Sequence, residues 1–270
     1  MPKPPRSLLW QVAASVDAPP VLAPYLGELF ADLTALGSMP RTVVRLLREA
    51  GIGEGARVLD LACGKGAVSV AIAANLGCRV LGLDAYEPFL ESARELARRR
   101  GVGGGVGGMG RVRRGEGVAE FRHFNLRDPS TLPRGRFDAA LMIGLDPLVH
   151  AAAVLRPLTR RGGVYVIDDV YRDDRDPRAG EYPHIPTRAE SREILTAAGD
   201  EIAAVHIPTP SEIRRLNDRL YRGISRRAAA LRRCHPRLAT ALREYLARQR
   251  HANEELVGPL RPAIWVVRRR

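Results

Sequence analysis

The segment Val58-Leu59-Asp60-Leu61-Ala62-Cys63-Gly64-Lys65-Gly66-Ala67 constrains the fold more than any other stretch of the chain. An apolar strand runs straight into a turn of small residues and then into a helix. Gly64 and Gly66 permit a tight turn and let backbone approach a ligand closely, while a helix that starts there offers unpaired N–H groups. Such a unit commits the chain to α/β architecture and suits a nucleotide-like cofactor.

From residue 57 onward, short β-branched runs alternate with helical segments, the rhythm of a parallel sheet wound with helices. Candidate strands are Arg57–Leu61, Arg79–Leu83, Glu120–Phe124, Phe137–Ile143, Gly163–Ile167, Glu201–Ile207 and Ala263–Val267. Before them, apolar clusters at Leu8, Leu9 and Val12, then Leu26, Leu29, Phe30 and Leu33, then Val43, Leu46 and Leu47 predict a helical N-terminal cap over residues 1–52. The remainder, 53–270, reads as the main domain. Within it, residues 211–255 read as one or two long helices, with Ile213, Leu216, Leu220, Ile224 and then Leu238, Leu242, Leu246 at three-and-four spacing. Pro236 is expected to interrupt them. The glycine run Gly101–Gly110 does not lie between a strand and a helix start, so it reads as a surface loop rather than a phosphate cradle.

No apolar stretch approaches the roughly 20 residues that a membrane span needs. The basic opening residues are broken by Gln11 and Asp17 before a secretory apolar region forms, so no export signal is expected. Cys63, Cys78 and Cys234 have neither disulfide nor metal-ligand spacing, which points to no metal site and a cytoplasmic protein. The formal charge of +13 is concentrated: residues 211–270 hold sixteen arginines against five acidic residues. That block either draws an anionic partner or reflects a chain that uses arginine as its habitual surface cation, since only Lys3 and Lys65 are lysines.

Asp84 ends the second candidate strand 18 positions after Gly66, where a carboxylate can accept both ribose hydroxyls of an adenosine. Asp60 stands where a dinucleotide-binding fingerprint would place its first glycine, which suits a cofactor with an amino-acid end rather than a pyrophosphate. With these residues in place the sequence resembles the class I S-adenosylmethionine-dependent methyltransferases, in their small-molecule, type 11-like branch. Their first motif runs hydrophobic-Leu-Asp-hydrophobic-Gly-Cys-Gly-x-Gly, and here Ala62 replaces the usual first glycine. The resemblance continues through Leu81–Asp84, Phe124-Asn125-Leu126, Phe137–Gly144 and Leu155–Ile167, covering about residues 55–207.

This resemblance implies a Rossmann-like α/β fold with a seven-stranded, mostly parallel sheet whose last strand is reversed. An N-terminal helical cap and a basic helical insertion before that strand complete it. It also implies S-adenosyl-L-methionine lying over the strand ends. Asp60, Ala62, Cys63, Gly64 and Gly66 would form the turn and hold the amino-acid end. Asp84 and Ala85 would take the ribose, Asn125 and Leu126 would flank the adenine, and Ile143, Gly144 and Leu145 would line the methionine side. Catalysis in such enzymes is chiefly alignment, with a base needed only when the acceptor must lose a proton early. Asp168, Asp169 and His150 are the leading candidates for that role, followed by Asp146, Tyr171 and His184.

The chain lacks the Asn/Asp-Pro-Pro-aromatic grip of base-modifying enzymes after Ile143, and Glu181–Thr187 resembles the substrate loop of small-molecule methyltransferases. A small-molecule acceptor is therefore expected. Three rivals stand beside it. An RNA or other anionic macromolecule would use the basic insertion, although aromatic side chains for stacking are scarce among the arginines. A non-catalytic sensor or scaffold would bind the cofactor without turnover, and a nicotinamide-dependent reductase would use a related turn. A homodimer contact through the insertion is a further possibility.

Overall fold

The computed structural model describes residues 8–103, 116–125, 128, 132, 133, 135–145 and 147–270. Strands β1 (Arg57–Leu61), β2 (Arg79–Asp84), β3 (Val118–His123), β4 (Phe137–Ile143), β5 (Thr159–Arg172), β6 (Glu201–His206) and β7 (Leu260–Arg268) form one seven-stranded sheet in the order β3-β2-β1-β4-β5-β7-β6. The pairs from β3 through β5 are parallel, and β7 runs antiparallel to both β5 and β6. The fold is thus Rossmann-like with a reversed last strand.

Side chains alternate across this sheet with the period of two that a strand imposes. Val58, Leu141, Val164 and Val166 face α3 (Pro40–Glu49), α4 (Ala67–Leu76) and α5 (Glu87–Arg99), while Leu59, Met142, Tyr165 and Ile167 face α6 (Leu148–Leu158) and α7 (Arg188–Thr196). Both faces are covered, so the central strands are nearly continuous apolar runs. A third, separate core joins the two ends of the chain. Leu22, Leu26 and Leu29, from a 3-10 turn (Pro20–Tyr25) and α2 (Leu26–Leu29), pack with Ile224 and Leu231 of α8 (Pro210–Cys234) and Tyr245 of α9 (Ala239–Glu255). Together with α1 (Leu8–Ser15) these elements make one lid. Thr209 opens α8 with a reciprocal capping box to Glu212, and Pro236 separates α8 from α9 through a 3-10 turn.

Several boundaries differ from the sequence expectation. β3 starts at Val118 and stops before Phe124, and β5 reaches from Thr159 to Arg172 rather than 163–167. The polar run Asp168–Arg172 stays in the sheet because it pairs with Leu260–Ile264 of β7. Helix α3 packs with α4 in the body of the protein, through Val43, Leu46 and Leu47, rather than in the lid. Leu126, Asp146 and most of the glycine run lie outside the described residues. Among the described residues no helix is long and apolar enough to cross a membrane.

Candidate active site

The sheet order reverses direction between β1 and β4, and at such a switch point the strand ends leave a crevice. Leaving β1 at Leu61, the chain turns through three left-handed residues, Ala62 (φ 58°), Gly64 (φ 54°) and Gly66 (φ 74°). The Gly66 N–H closes the turn on Cys63 O at 2.9 Å, while the Cys63 N–H still pairs with Leu83 O at 3.0 Å. Gly66 is the N-cap of α4 and brings no side-chain cap; within the first turn the Ser69 N–H is directed to the buried Asp60 carboxylate. The two glycines differ in purpose. A Cβ on Gly66 would lie 2.7 Å from Ala93 Cβ and 2.9 Å from the Phe121 ring, so this glycine seats α4 against α5 and β3. At Gly64 a Cβ would meet Leu36 of the lid at 3.3 Å, which leaves that position facing the crevice.

Asp84 ties the end of β2 to this turn, accepting the Gly64 N–H at 2.8 Å and the Tyr86 N–H at 2.9 Å. Those contacts, with the Ala85 N–H beside them, fix the plane of the carboxylate. Burial holds the Asp84 carboxyl above the usual carboxylate range, against the backbone donors that favour its charge. Asp60 is more deeply buried, at 1% exposure, and accepts the Ser69 hydroxyl at 2.5 Å. Burial pushes its carboxyl up to about 7, opposed by the Ser69 hydrogen bond.

Over the turn lies a cavity of about 920 Å³. Its wall brings together Asp60, Ala62, Cys63, Gly64, Asp84, Ala85, Asn125, Ile143, Gly144 and Leu145, drawn from the ends of four strands. Gly66 is not on the wall, for the packing reason given above. Among the three leading base candidates, His150 lines the cavity and Asp168 and Asp169 do not. Asp169 instead accepts the Leu148 N–H at 2.8 Å, which fixes the start of α6 two residues before His150. Asp168 sits beside it in β5, where burial and the Asp169 charge push its carboxyl up to about 7. Tyr171 is buried within β5 and His184 is exposed, and neither reaches the wall.

The expected substrate loop is also elsewhere. Glu181–Thr187 contributes nothing to the wall; the Tyr182 hydroxyl donates to Glu255 at the far end of α9, and the Arg172 N–H holds Pro186 O at 2.9 Å. The lid supplies the outer wall in its place, with Gln11 and Val12 of α1, Leu220 and Ile224 of α8, and Tyr245 and Gln249 of α9.

Comparison with known proteins fits this geometry. Residues 58–161 match a family described as a methyltransferase domain. That span runs from the first residue of the motif through β4 into the start of β5. The segment 58–161 is a methyltransferase domain. No curated protein sequence matches it. Among solved structures, a SAM-dependent methyltransferase from Geobacter sulfurreducens in complex with S-adenosyl-L-homocysteine superposes with a TM-score of 0.72 at 16% identity, covering 90% of this chain and 96% of that one. One from Thiobacillus denitrificans, with the same ligand, gives 0.69 at 18% identity over 91% and 98%. The cyclopropane synthase MmaA2 from Mycobacterium tuberculosis gives 0.68 at 11% identity over 96% and 97%.

Within the methyltransferase domain one residue had drawn no role from sequence. Lys65, between the two glycines, is 9% exposed and donates from Nζ to the carbonyls of Phe30 (2.9 Å), Ala31 (3.4 Å) and Leu33 (2.6 Å) in the lid. Burial lowers its pKa, and the nearby Asp32 opposes that shift. The available signal was compositional. A chain that uses arginine almost everywhere keeps a lysine here, where a compact ammonium meets three carbonyls better than a planar guanidinium.

Proposed function

We propose that this chain transfers a methyl group from S-adenosyl-L-methionine to a small organic acceptor held beneath the lid. The supporting observation is the left-handed turn Ala62–Gly66, tied to Asp84 at the floor of a cavity of about 920 Å³. Single-ligand pockets typically span about 300–1,000 Å³, so this volume suits a donor and a modest acceptor side by side. The residues present fit the donor: a carboxylate for a ribose, the start of a helix beside the crevice for a carboxylate end, and a turn whose Gly64 keeps backbone open to the crevice. Bound there, S-adenosyl-L-methionine supplies a methyl group already activated on a sulfonium. The S-adenosyl-L-homocysteine held by the two bacterial methyltransferases above supports this donor.

What the chain itself contributes is alignment and dryness. Asp84 and the turn hold the donor in register, and the lid excludes water and presses the acceptor into line. His150, set by the Asp169 contact at the start of α6, takes the acceptor proton where the acceptor has one to lose. The outer wall is largely apolar, and none of the described residues on it is an arginine, so the arginine-rich helix surfaces and the cavity are separate features. This favours a small acceptor over RNA. The three free cysteines fit a reducing cytoplasm.

Calorimetry with S-adenosyl-L-homocysteine tests the reading. Binding to the wild-type chain is expected, and Asp84→Ala should weaken it at least about tenfold, or about 1.4 kcal/mol. Equal affinity in the two proteins would overturn the donor assignment.

A further inference from the structure

The short lid segment from Glu28 to Leu33 is gripped from two sides. From below, the Lys65 ammonium gives its three donors to the carbonyls of Phe30, Ala31 and Leu33. From above, α8 holds the same segment: Arg226 Nε lies 2.8 Å and Arg227 Nε 3.4 Å from the Asp32 carboxylate, and Arg227 Nε also donates to Glu28 O at 3.1 Å. Gly223 completes the contact, since a Cβ there would come within 2.6 Å of Leu33 Cδ2. The donor turn and α8 are therefore joined through a few residues of the lid. Those residues also face the ligand space, because Phe30, Leu33, Leu220 and Ile224 all line the cavity.

We infer that Lys65 is a positioning residue that couples occupancy of the donor turn to the seating of α8 over the acceptor half of the cavity. The inference rests on the donor assignment above and extends it. Lys65 belongs to the turn that would carry the donor, yet its ammonium is spent wholly on the lid. A shift in the turn must move the three carbonyls with it, and Asp32 and Leu33 then carry that movement to Arg226, Arg227 and Gly223. Rigid local contacts with two arrangements are the physical means by which one site biases another. The same joint makes donor binding and lid order reciprocal, since coupling between two equilibria acts equally in both directions.

A residue that merely stabilised the lid would change amide exchange in α8 equally with and without ligand. A coupling residue changes the increment that ligand produces. Hydrogen exchange is therefore measured by mass spectrometry on the full chain, with and without S-adenosyl-L-homocysteine, in the wild type, Lys65→Met and Asp32→Asn. In the wild type the ligand should slow exchange across residues 216–228 by about tenfold. Lys65→Met removes the ammonium at similar length, and Asp32→Asn cuts the opposite side of the joint, leaving every residue of the turn in place while removing the charge that supports the Lys65 ammonium. Both should still bind the ligand, within about tenfold of wild-type affinity, and both should show an increment below about twofold. A full increment in Asp32→Asn overturns the inference even if Lys65→Met fails to fold. Binding to the wild type with unaltered increments in both variants overturns it while leaving the donor assignment intact; absence of binding to the wild type removes both.

Discussion

Ala62 carries a φ of 58° in a turn where its neighbours in the same conformation, Gly64 and Gly66, are glycines. A Cβ in the left-handed region costs roughly 1–2 kcal/mol, part of which is returned because alanine has less freedom to lose than glycine. Ala62→Gly should accordingly stabilise the protein by about 0.5–1 kcal/mol, read as a higher denaturation midpoint with an unchanged slope. Asp60 gives a second expectation through its proton. Unfolded, an aspartate titrates near 3.8; buried here it titrates at about 7. Between those values the folded protein holds the proton more tightly, so stability present below about pH 4 is lost as pH rises toward 7. Asp60→Asn removes that loss while keeping an acceptor for Ser69. On ligand-free protein, the stability of the variant relative to wild type should rise by about 2–3 kcal/mol between pH 5 and pH 8. A constant difference across that range would show that Asp60 titrates normally.

Helix α4 depends on how closely its first turn can approach its neighbours. Gly66→Ala puts a methyl group 2.7 Å from Ala93 and 2.9 Å from Phe121 while keeping a φ of 74°, so it combines overpacking with left-handed strain. A loss of at least about 2 kcal/mol is expected in urea denaturation, in contrast to the gain at Ala62 four residues earlier. Elements of this kind were readable in the sequence where the period was pure. Val58–Leu61 and Phe137–Ile143 are apolar but for one aspartate each, Asp60 and Asp138, because both faces of the sheet are covered, and α8 and α9 show their stripes around a proline break. Legibility failed where long-range pairing outweighs local composition. Asp168–Arg172 looks like a loop and is a strand only because β7 lies beside it. Glu181–Thr187 has the look of a substrate loop, yet Tyr182 and Glu255 fix it at the far end of α9. Lys65 was silent for the same reason: its partners are backbone carbonyls 32 to 35 residues away, which no side-chain pattern announces.

At the scale of the whole molecule the cavity has a floor from the sheet and a roof from both ends of the chain, so ligand binding should stabilise the entire fold. At a hundred times its dissociation constant, S-adenosyl-L-homocysteine adds about 2.7 kcal/mol. For a chain of this length that should raise the melting temperature by about 5 °C, and the shift should disappear in Asp84→Ala. Strand β7 has a different consequence, one of timing. It lies between β5 and β6, yet the ribosome makes it after every other strand. While α8 and α9 are being synthesised, β5 ends the sheet as a bare edge and β6 has no neighbour. An uncovered edge is a template for pairing with another chain. A protein cut after Gly258 should therefore sediment as aggregates where the uncut chain stays dispersed, and the interval before β7 joins the sheet is the one in which the nascent chain most needs a chaperone.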